Sequence, residues 1–421
     1  MYARAITPVY DQATENANFR NLVSDIAWFG LAFAATSRFL SVYAIRLGAT
    51  PVELGLLTGL PALMWLGSSM LSSWWSHRYP NSIQALRWPT LGMRMVFILP
   101  LFAPFFPSEL QVIWLIAATT LTAIPQGISN VIFMDMLRKA MPNEDRLTVL
   151  LARRQLFFNI VLAAGALSFG LWLEAGPFPL NYMLMFAVAF GAAYMSYRAC
   201  MCLRVPDDPP ITHKAAPVRP WSRHEFRQVA MAAFVIHLAF TSINAIIPLR
   251  LVNELNLNEG FVALYGMVEV GAAALISLAA PRAARALGSQ GLIAVGMVGT
   301  GIAAGLIALG TSPIVILLGA GISGAAWTLA AGIGLFRYFI EHSPTGEGSV
   351  QYAAAYNQSI GMALFAGPMI GSTLAQGGIS LVVVLVIGGL MRFGAAIVTE
   401  YPLLLGRFRG SRLIADVEDV R

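Results

Sequence analysis

Charge is what this chain has little of. Of its 421 residues only 11% are Asp, Glu, Lys or Arg, while 57% are hydrophobic and the mean hydropathy is +0.68. A soluble domain carries about 25% charged residues, so an ordinary globular enzyme is excluded and an integral membrane protein is expected. Cysteine is scarcer still. Cys200 and Cys202 stand two apart near one helix end, poorly placed to bridge and too few for a metal site. No Gly-x-x-x-x-Gly-Lys-Ser/Thr phosphate loop occurs, which excludes ATP hydrolysis by that route. No His/Cys/Asp cluster has metal-ligand spacing and no nucleophile–base pair stands out, so neither catalysis nor a cofactor is expected. Basic runs with interleaved aromatics are missing, and with them any reason for a nucleic-acid partner. Short alternating strands are missing too, which excludes a barrel. Met1 to Asn18 is polar, so no signal peptide is expected.

What is present is a succession of apolar stretches long enough for helices of about 20 residues. Twelve spans are expected, with cores at 22–45, 52–75, 87–106, 110–137, 149–172, 178–200, 228–250, 259–280, 290–310, 312–338, 351–376 and 379–403. The basic residues orient them. With the N-terminus in the cytoplasm, 22 of the 27 Lys and Arg fall on cytoplasmic segments, from Arg4 to the tail carrying Arg407, Arg409 and Arg412. Arg46 and Arg250 fall outside. This is the positive-inside bias of a multi-pass protein with both termini cytoplasmic, and it accounts for the net charge of +6.

Three arginines remain inside apolar stretches: Arg38, Arg94 and Arg392. A guanidinium stays charged at any physiological pH, and placing one in hydrocarbon costs at least about 2.5–3.5 kcal/mol. Each is expected to hold a polar ligand or to fasten helices. Asp25 alone lies at a depth that serves Arg94, and no acid obviously serves Arg392.

The chain is read as an N-terminal segment (1–21), a six-helix bundle (22–203), a cytoplasmic linker (204–227), a second six-helix bundle (228–403) and a cytoplasmic tail (404–421). The linker, RVPDDPPITHKAAPVRPWSRHEFR, carries five prolines and no apolar periodicity. The halves echo one another. Ile45-Arg46-Leu47 corresponds to Leu249-Arg250-Leu251, 204 residues on, and Pro142 to Pro344, 202 on. Arg154-Gln155 matches Asn357-Gln358 at 203. A parallel duplication of this type is a transporter architecture, with the binding site near the midplane between halves.

Six plus six helices, a cytoplasmic linker after the sixth and both termini inside resemble the major facilitator superfamily over essentially the whole chain. The signature loop of that family, Gly-x-x-x-Asp-Arg/Lys-x-Gly-Arg-Arg, corresponds here to Leu71-Ser-Ser-Trp-Trp-Ser-His-Arg-Tyr79, which lacks the acid and the second glycine. After span 8, Ala280-Pro-Arg-Ala-Ala-Arg-Ala-Leu-Gly288 keeps the basic residues without the acid. The drug/proton antiporter motif Gly-Pro-x-x-Gly-Gly has no counterpart in span 5, where Ala164-Gly-Ala-Leu-Ser-Phe-Gly170 lacks the proline. That argues against the antiporter branch. The resemblance implies that spans 1, 4, 7 and 10 line a central cavity and that spans 3, 6, 9 and 12 lie at the periphery.

On those spans the candidate substrate-binding residues are Arg38, Gln126, Asn130, His237, Asn244 and Trp327. Arg38 reads either as an anion or carboxylate ligand or as the partner of Glu269. Gln126 and Asn130, four apart after Pro125, share a helix face. Asn244, seven residues after His237, is expected on the same face as that histidine. Trp327 reads as a stacking surface or as filler, after Gly319, Gly321 and Gly324, which favour close helix approach. The proton-coupling candidates are Glu269, Asp25 and His237. Glu269, roughly 12–15 Å from the outer surface, would be neutral or paired there. Asp25, one turn inside the cytoplasmic end, reads as a protonatable site or as an interfacial ion pair. His237, mid-span, reads as a proton relay or as a structural hydrogen bonder. A cytoplasmic gate is expected from Asp135 latching Arg153 or Arg154, near Tyr352, Tyr356, Asn357 and Gln358. Together these residues imply a monomeric secondary transporter of the cell inner membrane. It would work by alternating access on a small solute, with protons as coupling ion and the lipid bilayer as surroundings. The alternative is a transporter-like assembly factor, lipid or pigment handler, or sensor.

Overall fold

A computed structural model describes residues 12–206, 219–342 and 349–397. Residues 1–11, the middle of the linker, the Pro344 loop, the end of span 12 and the whole tail with Arg407, Arg409 and Arg412 lie outside the described residues. Helices dominate because apolar side chains tile them continuously and local capping sets their ends. Thr50 opens span 2 (Pro51–Ser69) with a reciprocal box, its hydroxyl accepting from Glu53 N while Glu53 Oε2 accepts from Thr50 N at 2.8 Å. Asn81 and Asn143 cap spans 3 and 5, accepting from Gln84 N at 3.0 Å and Arg146 N at 3.1 Å. Asn258 does the same for span 8, accepting from Phe261 N at 3.0 Å.

Among the described residues, helical segments fall on each of the twelve expected cores. Eight are long and apolar enough to cross a membrane: Gln12–Arg46, Ser108–Ala140, Val149–Ala175, Leu180–Met201, His224–Glu254, Glu259–Ala280, Arg282–Leu309 and Pro313–His342. A ninth is the bent pair Ser82–Phe97 and Leu99–Phe105, turned by 43°. Pro51–Ser69, Ser349–Gln376 and the short apolar helix Leu381–Ile397 complete the series. Span 3 bends because Pro100 and Pro104 withhold two backbone donors, leaving tighter 3₁₀ turns over Leu99–Phe105.

The chain divides by contact into two units. The first is Met1–Lys214 with Leu251–Met267; the second is Ala215–Arg250 with Val268–Arg421. In the first unit, Leu22, Leu86, Met136 and Leu150 form a buried core among spans 1, 3, 4 and 5. In the second, Phe226, Ile236, Met297 and Tyr338 belong to a buried core among spans 7, 9 and 10. Outside these cores the surface is apolar: Leu121, Leu171, Leu278 and Ile314 are all exposed. A large apolar surface of this kind suits lipid tails and would be a liability in water. Small residues let helices touch. A Cβ on Gly324 of span 10 would lie 2.0 Å from the carbonyl oxygen of Glu269 on span 8, so backbone packs on backbone there.

Candidate functional site

Span 1 is two helices, Gln12–Ser37 and Phe39–Arg46, and the residue between them is Arg38, at φ −126° and ψ −43°. Just before the break, Thr36 and Ser37 turn their hydroxyls back onto the carbonyls of Phe33 (3.3 Å) and Ala34 (3.4 Å). Span 7 repeats the device. Thr241 donates to His237 O at 2.7 Å and Ser242 to Ala239 O at 2.9 Å. The helix His224–Thr241 stops there and resumes at Ile246. Pro248 and a π-type turn over Arg250–Glu254 follow. The two Thr-Ser pairs are 205 residues apart, close to the 204 that separates Arg46 from Arg250. Span 10 also departs from α-geometry, widening to a π-helix over Thr328–Leu335 directly after Trp327. At membrane depth, irregular backbone is tolerated only where protein or a cavity surrounds it. Broken helices of this kind carry the binding sites of secondary transporters.

Arg38 is half-buried at the first break, its guanidinium 5.7 Å from the ring centroid of Tyr265 on span 8. In the second unit, His237 and Trp327 come together edge-to-face at 5.2 Å, and Phe240 stacks on Trp327 at 3.7 Å. His237 Nδ1 lies 2.9 Å from the carbonyl of Ala233. Arg392 extends this row, 4.5 Å from the Phe240 centroid and only 1% exposed. It donates to the carbonyls of Thr300 (2.9 Å), Phe240 (2.6 Å) and Ala239 (3.4 Å), fastening spans 7, 9 and 12 through backbone oxygens. Glu269 is half-buried where span 8 crosses Gly324. Asn244 departs from expectation. The break at Ser242–Ala245 interrupts the 3.6-residue register, so its exposed side chain does not continue the His237 face.

The densest polar network is in the first unit. Asp25, 4% exposed, accepts from Arg94 Nη2 at 3.2 Å and Ser196 Oγ at 2.7 Å on one oxygen, and from Arg154 Nη1 at 3.2 Å on the other. Arg94 also donates to Ser196 Oγ at 2.6 Å and to the carbonyls of Ala193 and Thr90 at 3.0 Å each. Arg154 Nη1 donates to the carbonyl of Leu22. Spans 1, 3, 5 and 6 are thus tied at one carboxylate. Beside it lies a cavity of about 220 Å³ whose wall includes Asn130.

The expected cytoplasmic latch is not formed. Asp135 pairs within its own helix with Lys139 and accepts from Ser82 Oγ at 2.7 Å, because Lys139 is one turn away on the same face. Arg154 is drawn to Asp25, and the exposed Arg153 stands 5.4 Å from the Phe19 ring centroid. Gln126 and Asn357 are exposed on spans 4 and 11. Arg250, expected outside, is 5% exposed and donates to the carbonyls of Ile307 (2.9 Å) and Gly310 (3.3 Å). A cluster that the sequence did not suggest joins the ends of spans 1, 5, 6 and 8. Glu259 accepts from Arg46 Nε at 3.0 Å and Tyr182 OH at 3.1 Å, and Glu174 accepts from Gly260 N at 2.9 Å. Arg46 and Glu259 are 213 residues apart, a separation that no spacing rule reaches.

The family model described as Major Facilitator Superfamily matches residues 19–368. Among solved structures the chain is similar to a bacterial homologue of the iron transporter ferroportin in an inward-facing state, with a TM-score of 0.72 and 13% identity over 91% of this chain and 98% of that one. It is also similar to a D-xylose–proton symporter, with a TM-score of 0.67 and 13% identity over 92% and 97%. The nucleoside transporter NupG gives a TM-score of 0.67 and 11% identity over 92% and 98%. At such identities the likeness is one of fold. No curated protein matches the sequence.

Proposed function

Because the chain belongs to the major facilitator superfamily, whose members are membrane transporters, we propose that it is a secondary active transporter moving a small polar solute across the cell inner membrane by alternating access. The observation that carries this reading is the matched pair of mid-span breaks, in span 1 at Arg38 and in span 7 after Thr241. Broken helices expose backbone carbonyls and amides at mid-membrane, where a solute can bind and two half-helices can pivot. Arg38 at the first break supplies a fixed positive charge and favours an anionic group on the solute. The His237, Phe240 and Trp327 cluster beside the second break supplies aromatic faces and an imidazole.

Proton coupling is the second part of the reading. Glu269 on span 8 is its first candidate, because a half-buried carboxylate at membrane depth gains or loses a proton at modest cost when its surroundings change. His237 is the second candidate. Asp25 is the weakest, since two guanidiniums and a hydroxyl already occupy its oxygens in a structural role. The protein would act as a monomer with both termini in the cytoplasm.

The test is solute-induced alkalinisation in proteoliposomes loaded with a pH-sensitive dye and offered a panel of carboxylates, amino acids, sugars and nucleosides. At least one solute should move protons, and the Glu269→Gln variant should carry that solute without responding to an imposed pH gradient. Wild-type transport that ignores the gradient refutes the coupling. A panel in which nothing moves refutes the transport reading.

A further inference from the structure

We propose that the cavity lined by spans 1, 3, 4, 5 and 6 of the first unit is a binding site for one small monoanion, seated on the Arg154 donors that no described residue accepts from. This goes beyond the transport reading and does not rest on it.

Three observations converge. The first is charge. Arg94 and Arg154 are permanently cationic, and Asp25 is the one carboxylate bonded to both. Side-chain exposures are 3% for Arg94, 10% for Arg154 and 6% for Asp25. The buried trio therefore holds a net charge of +1, and an uncompensated charge in a low-dielectric interior is costly. One further negative charge balances it.

The second is donor accounting. A guanidinium has five N–H donors. Arg94 directs its three nitrogens at Ala193 O, Thr90 O, Asp25 and Ser196. Arg154 uses only Nη1, toward Leu22 O and Asp25. Its Nε and Nη2, with three N–H groups, have no protein acceptor among the described residues. Its aromatic neighbour, Phe133, 5.1 Å from the guanidinium carbon, can take none of them.

The third is space. Arg154, Arg94 and Asp25 line the 220 Å³ cavity together with Asn130, Thr90 and Ser129. A water molecule occupies about 30 Å³ in bulk, so an anion of a few heavy atoms fits with part of its hydration, whereas a bulky one does not. The hydroxyls of Thr90 and Ser129 are 2.9 Å apart, and the Asn130 amide makes no hydrogen bond among the described residues. That amide is a neutral donor in the cavity wall. The chemistry is that of a small oxyanion, halide or solute carboxylate, and the arms of the test separate these.

The experiment measures thermal unfolding midpoints of the full chain in neutral-lipid nanodiscs. Sodium nitrate, chloride or acetate is titrated against sodium gluconate at constant ionic strength. The midpoint should rise and saturate with a small anion but not with gluconate. Saturation by acetate alone identifies a carboxylate site, and saturation by nitrate or chloride an inorganic-anion site. Arg154→Gln should weaken the apparent affinity by at least about tenfold. Arg154→Lys, which keeps the charge and loses the fork, should retain part of it. Asn130→Ala, which alters no charge, should weaken it severalfold. Asp25→Asn removes the competing carboxylate and should tighten binding by roughly tenfold, the opposite of what a merely damaged fold would give. No saturation below roughly 0.1 M, an equal response to gluconate, or a wild-type response in both Arg154→Gln and Asn130→Ala overturns the proposal.

Discussion

Removing Arg94 should destabilise the native protein and rescue it once Asp25 is gone. In the wild type, the Asp25 carboxylate accepts from both arginines at 3.2 Å and from Ser196 at 2.7 Å. Arg94→Met leaves Asp25 paired with Arg154 and bonded to Ser196, so no charge is stranded. The loss is that of charge-assisted hydrogen bonds, about 2 kcal/mol. Asp25→Asn is worse, because two buried guanidiniums lose their shared counter-charge, at a cost of about 3–5 kcal/mol. The double variant again holds one guanidinium and no acid, the wild-type net charge. It should therefore be more stable than Asp25→Asn alone, giving a coupling of at least about 1–2 kcal/mol in the double-mutant cycle. The assay is equilibrium unfolding in mixed micelles with gluconate as the anion. A double variant that loses the sum of the single losses, about 5–7 kcal/mol, would show that the three groups do not share one electrostatic site.

Four further outcomes follow from the structure. A Cβ on Gly371 would sit 1.8 Å from the carbonyl oxygen of Ser242, so Gly371→Ala should destabilise by about 1–3 kcal/mol in a melt. Gly191→Ala, with nothing within 4 Å of the new methyl, should be neutral or stabilising by up to about 1 kcal/mol. Asp135→Asn should leave the rate of solute uptake within about twofold, since among the described residues Asp135 bonds Lys139 and Ser82 rather than the arginines of span 5. Arg46→Gln should accelerate thiol labelling of a cysteine placed at the outer end of span 6 more than Glu53→Gln does. Arg46 bonds Glu259 across spans, whereas Glu53 bonds only its own helix cap.

The architecture was legible because it is written in composition. Charge deficit, twelve apolar stretches and the Lys/Arg asymmetry each follow from the bilayer acting as solvent, and each can be summed along the chain. The pairing of Asp25 with Arg94 was legible by depth alone. The breaks beside Thr36-Ser37 and Thr241-Ser242 did not read from sequence, because Thr119 and Thr122 turn their hydroxyls back in the same way inside a helix that runs on unbroken. What also did not read from sequence was choice among partners. Asp135 had cations at similar depth on its own helix and on span 5, and the i,i+4 neighbour Lys139 won by proximity. Arg392 found carbonyl oxygens, which every residue carries and no pattern marks. Asn244 missed the His237 face because a local break reset the helical register.

Alternating access at the span 1 break is the central claim, and residue 38 tests it most directly. In a chain whose Cys200 and Cys202 are replaced by serine, the R38C variant is exposed to a membrane-impermeant thiosulfonate. The reagent is applied to right-side-out vesicles and separately to inside-out vesicles. The account predicts labelling from both sides, with each rate altered by a transported solute. Labelling from one side alone, unchanged by any solute, would contradict it.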